Sequence, residues 1–403
     1  MKILHVVQAY YPFQEKGGPV FKVRALAETM ARHGHEVAVL TADLGLAQHP
    51  EIASRCEACR WGRWLKFTGV EIIYLDTMAR YRAMTLNPRL LDFCETQLRN
   101  FDVIHFFGLY DLLGPTVSYF ARRRNIPYVV EPMGMYRPID RSLRLKAMWH
   151  GLLGGEFLKS AARIVATSGI EQRELLDAGF SREKVTIRYN GVDSDLFAYL
   201  PQRGAFRSKW NLPANEPLVL FLSRLIPRKG ADVLIEAFAE ACPREGRLVI
   251  AGPEGESGYV TQLKACASKR GVADRVVFIG PVYDENKRSL YEDADVFALP
   301  SRYENFANVA AEAMACGVPV ILSEGCGISA LVDQEKAGLI VAPQVEGVSN
   351  AIRVILSDTA LYTELKEGCK RLTAQLDWER LAAQMEGAYQ AVSSDLHKPT
   401  CPQ

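Results

Sequence analysis

The sequence predicts an α/β protein built from two doubly wound, Rossmann-like domains. Its 403 residues exceed the size at which a single hydrophobic core usually stops growing. Buried-type strands alternate with amphipathic helices along the first half, and the same alternation restarts after a polar stretch. We expect the two domains to face one another across a cleft at the carboxyl ends of their strands, where ligands bind in open α/β sheets.

The first domain is predicted over residues 1–198. Lys2–Gln8 reads as a buried strand, and Pro19–His33 as a helix because its apolar residues recur at helical spacing. Pro19 suits a first helical position, and Gly34 suits the residue after a helix end. The further strands of this domain are predicted at Glu36–Thr41, Val70–Leu75, Val103–Phe107, Tyr128–Glu131 and Arg163–Thr167.

The second domain is predicted over residues 218–375, after a connection at 199–217 that contains Pro and Gly. Residues 394–403 read as a tail. Strands are expected at Leu218–Leu222, Arg247–Ala251, Val276–Ile279, Val296–Leu299 and Val318–Ser323. The helices between them are expected at Asp232–Cys242, Tyr259–Arg270, Lys287–Asp293 and Ala307–Cys316.

Overall charge argues against a dedicated nucleic-acid binder, because the formal net charge is only +1. The charge is unevenly divided, however. Residues 1–195 carry 26 Lys+Arg against 21 Asp+Glu, and the remainder carries 22 against 26. Either the first half meets an anionic partner, such as a phosphorylated acceptor or a membrane surface, or the asymmetry is ordinary surface variation.

Cysteine usage and the N-terminus predict a cytoplasmic protein. The nine cysteines are scattered, and only Cys56 and Cys59 form a close pair, with no second pair at zinc-finger spacing. The first residues are interrupted by polar side chains too soon for a signal peptide. No apolar run approaches the roughly 20 residues that span a bilayer. We therefore expect no metal and no membrane crossing.

Two carboxylates follow the strand Val296–Leu299. Glu304 is expected in a strand-to-helix loop, and Glu312 lies eight positions later on the helix. Amides at a helix N-terminus favour a bound diphosphate, so Glu312 could bind a ribose diol while Glu304 reaches a transferred sugar. The spacing alone is weak evidence, since a surface helix with two unrelated glutamates gives the same pattern.

A basic motif follows the strand Leu218–Leu222. Arg224 comes directly after the strand, and Lys229-Gly230 precedes the next helix. A guanidinium fork and an ammonium could together hold a diphosphate and stabilise the charge on a departing nucleotide. A solvated basic loop is the alternative.

These motifs, in this order, resemble the large family of retaining glycosyltransferases with the GT-B fold, the family 4-like or group 1 enzymes of bacterial surface-polysaccharide type. The resemblance covers about residues 1–393 and also includes Gly17-Gly18, Ala166-Thr-Ser168, Asn190-Gly-Val-Asp193 and Val276–Gly280. It implies transfer of a hexose from a nucleotide-diphosphate donor, such as a UDP or GDP sugar, to an acceptor hydroxyl with retention. No metal is expected, because Arg224, Lys229 and helix N-termini would neutralise the leaving diphosphate. The expected pathway is exopolysaccharide, lipopolysaccharide or glycolipid assembly.

The resemblance also implies residue roles. Arg224, Lys229 and Glu304 would be the catalytic residues, in the sense of positioning and charge stabilisation. The nucleotide sugar is a co-substrate, and no other cofactor is implied. A helix over 376–393 would pack back on the first domain. The donor would be bound by Gly17, Gly18, Val282, Asn305, Phe306, Ala307, Asn308, Val309 and Glu312.

The chain departs from the family pattern in two places. Many relatives carry His-Gly near the sugar, where this chain has Met133-Gly134. The acceptor side is therefore assigned only candidates, namely His105, Met133 and Gly134, and for His105 a core or loop histidine without a catalytic part is the favoured interpretation. Ala307 replaces the glycine of a Phe-Gly pair, and its methyl group is expected to narrow the choice of sugar.

The segment 137–159 interleaves Arg and Lys with large apolar residues including Trp149. It reads either as an interfacial helix for peripheral membrane contact or as a helix packed on its own domain. Two rival functions remain open: a nucleotide-sugar epimerase of the same fold, and a non-catalytic nucleotide-sugar-binding partner. A phosphorylase would need a cofactor lysine that the sequence does not reveal.

Overall fold

A computed structural model of the protein describes residues 1–13, 18–81, 84–137, 143–193, 201–242 and 245–395. The chain divides into two units. The first comprises Met1–Gly191 together with the C-terminal segment that begins at Trp378, and the second comprises Val192–Asp377.

The first unit is built on a nine-stranded sheet in the order β11-β10-β9-β8-β1-β2-β5-β4-β3. The pairs between β11 and β5 are parallel, and β4 and β3 add an antiparallel edge. A separate hairpin is formed by β6 and β7. The strands are β1 Lys2–Val7, β2 Glu36–Ala42, β3 Glu57–Cys59, β4 Gly62–Phe67, β5 Val70–Leu75, β6 Ala79–Tyr81, β7 Met84–Leu86, β8 Val103–Phe107, β9 Tyr128–Glu131, β10 Arg163–Ala166 and β11 Val185–Ile187.

Helices cover both faces of this sheet. The C-terminal helix Trp378–Asp395 joins them, because its buried side chains belong to the same core cluster as those of β1 and the first helix. The other helices of the unit are α1 Gly18–Arg32, α2 Pro50–Ala53, α3 Leu90–Gln97, α4 Leu113–Arg123, α5 Leu143–Trp149, α6 Gly155–Lys159 and α7 Gly169–Asp177, with a π-helical turn at His150–Gly154.

The second unit has a six-stranded, fully parallel sheet in the order β14-β13-β12-β15-β16-β17. In chain order this is the 3-2-1-4-5-6 arrangement of a doubly wound sheet. The strands are β12 Leu218–Leu222, β13 Arg247–Ala251, β14 Val276–Gly280, β15 Val296–Leu299, β16 Val320–Ser323 and β17 Gly338–Val341. The helices are α8 Ala205–Lys209, α9 Ala231–Ala241, α10 Tyr259–Lys269, α11 Asp284–Asp293, α12 Asn308–Ala315, α13 Ser329–Glu335, α14 Val345–Ser357 and α15 Thr359–Gln375.

The predicted fold class is confirmed, with strand and helix ends displaced by up to three residues. The antiparallel edge was not predicted, because the exposed Arg63 and Lys66 interrupt β4, which therefore lacks a continuous apolar run. Within the predicted connection, α8 is anchored to the second unit: the buried Arg207 guanidinium donates to the carbonyl of Asp293 at 3.0 Å and to Asp295 Oδ2 at 3.1 Å. Residues 396–403 of the predicted tail lie outside the described residues.

Candidate functional site

The two motifs of the second domain follow neighbouring strands at the point where the strand order reverses. β12 pairs with both β13 and β15, so connections leave its two sides in opposite directions. The loops that carry Arg224 and Glu304 follow β12 and β15. A crevice at such a switch point is the usual ligand site of a doubly wound sheet.

Lys229 and Glu304 contact each other directly, through the Lys229 Nζ and the Glu304 Oε2. The Lys229 side chain is 7% exposed and that of Glu304 is 23% exposed. Gly230 makes this approach possible, because its φ is +75° and a Cβ there would lie 2.3 Å from the Pro300 carbonyl oxygen. Residues 75 positions apart in the sequence therefore form one charged pair.

The Glu304 loop is also held from its other side, by the segment after β16. The Glu304 amide donates to the Gly325 carbonyl at 2.8 Å, and the Gly327 amide donates to the Glu304 carbonyl at 2.8 Å. Gly325 is needed for close approach, since a Cβ there would lie 2.4 Å from the Arg302 carbonyl oxygen. Contacts on both sides of the loop thus fix the position of the Glu304 main chain, from which the carboxylate extends.

Helix α12 begins directly after the loop. Ala307 precedes it in the left-handed conformation, with φ 77° and ψ 61°, and is 3% exposed. Phe306 is 2% exposed, so a ligand would meet its backbone and not its ring. The amides at the start of α12, at Asn308 and Val309, carry the partial positive charge that favours a bound phosphate. Asn305 lies in the loop and is half-buried.

Glu312 lies on the second turn of α12 and is held by residues of α11. Its Oε2 accepts a hydrogen bond from the Tyr291 hydroxyl at 2.8 Å and contacts the Lys287 ammonium. The Glu312 side chain is 24% exposed. The structure therefore places Glu304 in the loop and Glu312 on the helix that follows it, each beside its own lysine.

Arg224 is exposed and lies against the loop that follows β13. A Cβ on Gly255 would come within 2.5 Å of the Arg224 Cγ, so the glycine leaves room for the arginine stem. The Leu225 amide donates to the Pro253 carbonyl at 2.9 Å and ties the two loops together. The guanidinium is thus directed by packing of its stem and remains accessible to a ligand.

Val282 is half-buried in the loop between β14 and α11. It borders a cavity of about 390 Å³ together with Tyr283, Phe206 and Trp210. The position predicted for the nucleobase is therefore next to a real concavity of the second unit.

A buried charge cluster occupies the first unit where β9 ends. Lys22 on α1 and Arg188 after β11 both contact the Glu131 carboxylate, and Lys22 also donates to the Asn190 side chain. Burial raises the pKa of Glu131, but Arg188 and Lys22 outweigh it and leave that pKa below its usual value. Burial lowers the pKa of Lys22 to about 8. The two cations share one carboxylate, and the cluster joins α1 to the end of β9 and to the segment after β11.

The candidate acceptor residues Met133 and Gly134 form a turn directly after this cluster, with φ values of 55° and 75°. The Gly134 amide donates to the buried Glu171, which also accepts from the Thr167 amide at 2.8 Å. Burial raises the pKa of Glu171. The turn is therefore fixed to the N-terminus of α7.

The remaining predicted residues of the first unit are His105, Gly17 and Gly18. His105 is fully buried at the centre of β8, and its Nδ1 lies 2.6 Å from the Tyr389 hydroxyl on the C-terminal helix. This placement favours the core interpretation of His105 over an acceptor role. Gly18 is the first residue of α1, and Gly17 lies outside the described residues.

Family models match both units. Residues 202–372 match glycosyl transferases group 1, and residues 17–191 match the glycosyl transferase 4-like domain. A D-inositol 3-phosphate glycosyltransferase 2 of Catenulispora acidiphila is 32% identical and covers 77% of each chain. The chain belongs to the group 1 glycosyltransferases. A D-inositol 3-phosphate glycosyltransferase of Jonesia denitrificans is 29% identical, covering 93% of this glycosyltransferase and 91% of the relative.

Solved structures agree on the fold of the glycosyltransferase, which is GT-B with two Rossmann-like domains. Anabaena Alr3699/HepE in complex with UDP has a TM-score of 0.75 at 22% identity, covering 97% of this chain and 100% of that one. A sucrose-phosphate synthase from Thermosynechococcus elongatus has a TM-score of 0.72 at 23% identity, covering 98% and 99%.

Two Asp-x-Asp triplets occur in this glycosyltransferase, at Asp193–Asp195 and Asp293–Asp295, a pattern often associated with a metal-bridged diphosphate. Asp295 Oδ2 accepts from the Leu218 amide at 2.8 Å, and Asp293 Oδ2 from the Arg207 amide at 2.8 Å. The second triplet therefore anchors α8 and β12. Position 195 lies outside the described residues, and among the described ones no three His, Cys, Asp or Glu side chains converge as metal ligands.

Residues 138–142 of the predicted segment 137–159 lie outside the described residues, and its remainder forms two short helices, Leu143–Trp149 and Gly155–Lys159, joined by the π-helical turn. Trp149 is only 6% exposed, so its ring packs in the core and is not one of the side chains that could contact a membrane. Leu152 and Met148 are 73% and 56% exposed. Within the described residues no helix combines the length and the apolar character needed to cross a bilayer.

Sequence reasoning missed the residues that support the predicted site. Gly255 and Gly325 make room for loops, and Lys287 and Tyr291 hold Glu312. A glycine signals a close approach only when the neighbouring chain is known. The i, i+4 spacing of Lys287 and Tyr291 predicts a shared helix face, but not what that face contacts.

Proposed function

We propose that this chain transfers a hexose from a nucleotide-diphosphate sugar to an acceptor hydroxyl with net retention and without a metal. The observation that carries the proposal is the contact between Lys229 and Glu304 at the switch point of the second sheet. It brings a cation for the diphosphate and a carboxylate for the sugar to adjoining positions. Arg224 and the amides at the start of α12 complete the set of groups that a donor needs.

In the proposed mechanism the nucleotide diphosphate leaves as the anomeric carbon develops oxocarbenium character. Lys229, Arg224 and the α12 amides stabilise the negative charge that accumulates on the departing phosphate. The acceptor hydroxyl attacks from the same face, and the departing phosphate takes its proton. Glu304 positions the sugar hydroxyls and is not the nucleophile.

The acceptor is proposed to be anionic. The excess of Lys and Arg in residues 1–195 supports this, since that part of the chain contains 26 Lys and Arg residues and 21 Asp and Glu residues. The relatives described as D-inositol 3-phosphate glycosyltransferases make a phosphorylated polyol one candidate. A lipid-linked or polymeric glycan of exopolysaccharide, lipopolysaccharide or glycolipid assembly is the other.

Turnover with a panel of UDP, GDP and ADP sugars tests the donor side, and NMR of the product reports the anomeric configuration. Lys229→Ala is expected to lower turnover at saturating donor by about 10²-fold or more, as loss of one preorganised charge stabiliser does. Lys264→Ala is the matched control, because Lys264 is an exposed lysine of the same unit. Excess EDTA is expected to leave turnover unchanged.

Three results would oppose the proposal, each in its own way. Full turnover by Lys229→Ala would refute the charge-stabilising role. Complete conversion of the donor sugar without acceptor would identify an epimerase. Tight nucleotide-sugar binding without turnover across acceptors of both classes would identify a non-catalytic partner.

We further propose peripheral membrane contact through the segment 137–159. The exposed Met148 and Leu152 support it, as do the exposed charges of Arg144 and Lys159. Sedimentation with phosphatidylglycerol-containing vesicles should pellet the wild type at low salt, and Leu152→Ser should reduce the pelleted fraction. No binding at low salt would leave the segment as a surface helix, and the protein would then act free of the membrane.

A further inference from the structure

The Glu312 carboxylate is bound asymmetrically. Both of its contacts with α11, to the Tyr291 hydroxyl and to the Lys287 ammonium, are made by Oε2. The side chain keeps 24% of its surface exposed. One carboxylate oxygen is thus held by both partners, and the other takes no part in these two contacts.

Tyr291 is suited to be a permanent hydrogen-bond donor. Its side chain is fully buried, and its hydroxyl also lies 3.1 Å from the Val309 carbonyl in the first turn of α12. Burial, followed by the neighbouring Glu312, raises the pKa of Tyr291 well above its usual value. The hydroxyl therefore stays protonated, and its geometry is set by both turns of α12.

Lys287 completes the same arrangement from the surface side. It lies four positions before Tyr291 on α11, so both side chains leave one face of the helix. Its ammonium lies 5.9 Å from the centre of the Tyr291 ring, and its side chain is 25% exposed. Because a hydroxyl donor and an ammonium both hold the same carboxylate oxygen, the pair favours one rotamer of Glu312.

We propose that Lys287 and Tyr291 are positioning residues that hold Glu312 by Oε2 and present Oε1 to the ribose 2′- and 3′-hydroxyls of the donor nucleotide. The inference rests on the proposed function, since it takes Glu312 as the ribose ligand. A glutamate that is already immobilised does not lose its rotamer freedom when the nucleotide binds. The loss of either positioning residue should therefore weaken recognition of the ribose and leave the phosphate contacts intact.

The test compares a nucleoside diphosphate with its 2′,3′-dideoxy form by calorimetry, using UDP, GDP and ADP to find the base that binds. The wild type is expected to favour the ribose form by about tenfold or more, because hydrogen bonds to a charged group are the strong ones. Glu312→Gln should lose most of this preference. Lys287→Met should reduce the preference for the ribose form by about threefold to tenfold, because the Glu312 side chain would then have to be ordered when the nucleotide binds.

Further variants separate positioning from folding. Lys287→Arg should restore the preference, and Lys264→Met, which changes an exposed lysine on α10, should keep it. Tyr291→Phe should act like Lys287→Met, with its thermal unfolding measured alongside because the ring is buried. In steady state Lys287→Met should raise KM for the donor and leave kcat unchanged, as expected for lost uniform binding.

The outcomes are distinguishable. Loss of the preference in Glu312→Gln with full retention in Lys287→Met and Tyr291→Phe would overturn this inference and leave the proposed function standing. Absence of nucleoside diphosphate binding by the wild type, or equal binding of the ribose and dideoxy forms, would overturn the assignment of Glu312 itself.

Discussion

Glu131→Gln is expected to cost the first unit a large part of its stability. The carboxylate is fully buried, and its two cationic partners, Lys22 and Arg188, are 5% and 1% exposed. Glutamine keeps the shape and removes the charge, so both cations lose their counter-ion inside the protein. Removal of one partner of a buried ion pair costs about 3–5 kcal/mol. Native domains are stable by only about 5–15 kcal/mol, so this is a large fraction.

Lys22 gives the prediction a pH dependence. With Glu131 present, burial already lowers the Lys22 pKa to about 8, and without it the pKa must fall further. A lysine that is neutral when folded and charged when unfolded binds more protons in the unfolded state. Stability of the variant should then rise with pH by about 1.4 kcal/mol per unit, whereas wild-type Lys22 stays charged in both states below its folded pKa. The destabilisation should therefore shrink from pH 6 to pH 8.

Urea unfolding followed by tryptophan fluorescence measures this loss. Four of the five tryptophans lie in the first unit, so the signal reports mainly on it; they are Trp61, Trp64, Trp149 and Trp378. Glu36→Gln is the control, because Glu36 is 73% exposed and pairs with Lys2 at the surface. That change should cost at most about 1 kcal/mol. A loss below about 1 kcal/mol for Glu131→Gln, or a loss that does not change with pH, would refute the reasoning.

Three further predictions concern single positions. Gly230→Ala should destabilise the second unit by more than Gly34→Ala destabilises the first. Both variants incur roughly 1 kcal/mol of strain from the left-handed backbone. At Gly230 the new methyl group would in addition lie 2.3 Å from a carbonyl oxygen, whereas at Gly34 it would meet nothing within 4 Å. Thermal unfolding of both variants checks this. Hydrogen bonding to Glu379 raises the pKa of His33 in the folded protein. The pair therefore stabilises the fold fully below the ordinary histidine pKa, and this stabilisation is lost as the pH rises through the pKa of folded His33. Unfolding of His33→Asn should accordingly depend less on pH between about 5.5 and 8. Ala307→Gly should leave the melting temperature nearly unchanged, because about 1 kcal/mol of relieved backbone strain offsets the loss of the buried methyl group. The same variant should turn over a wider range of donor sugars.

Much of the fold could be predicted because it depends on local patterns. Strands β5, β8, β9, β12, β13 and β15 have the predicted ends, since each is a mainly apolar run that any doubly wound sheet would bury. The antiparallel strands β3 and β4 and the helix α8 could not be predicted in the same way. They are short or interrupted by charged residues, and α8 is held in place by contacts such as those of Arg207 with Asp293 and Asp295.

The candidate site divides along the same line. The motifs around Arg224, Lys229, Glu304 and Glu312 were readable because each follows a recognisable strand, and the carboxyl ends of parallel strands meet at one edge of the sheet. His105 shows the limit of that reasoning. A histidine in a strand reads the same whether its ring faces a ligand or a core, and only the contact with Tyr389 decides for the core.

The sequence by itself therefore determined the fold class, the family and the order of the charged groups along the chain. Tertiary structure decided which charge each group meets: Glu304 meets Lys229, Glu312 meets Lys287, and Glu131 meets two buried cations at once. The physical reason is that hydrophobic periodicity is a property of neighbouring residues, whereas electrostatic partners here are separated by 25 to 109 positions and are brought together only by packing.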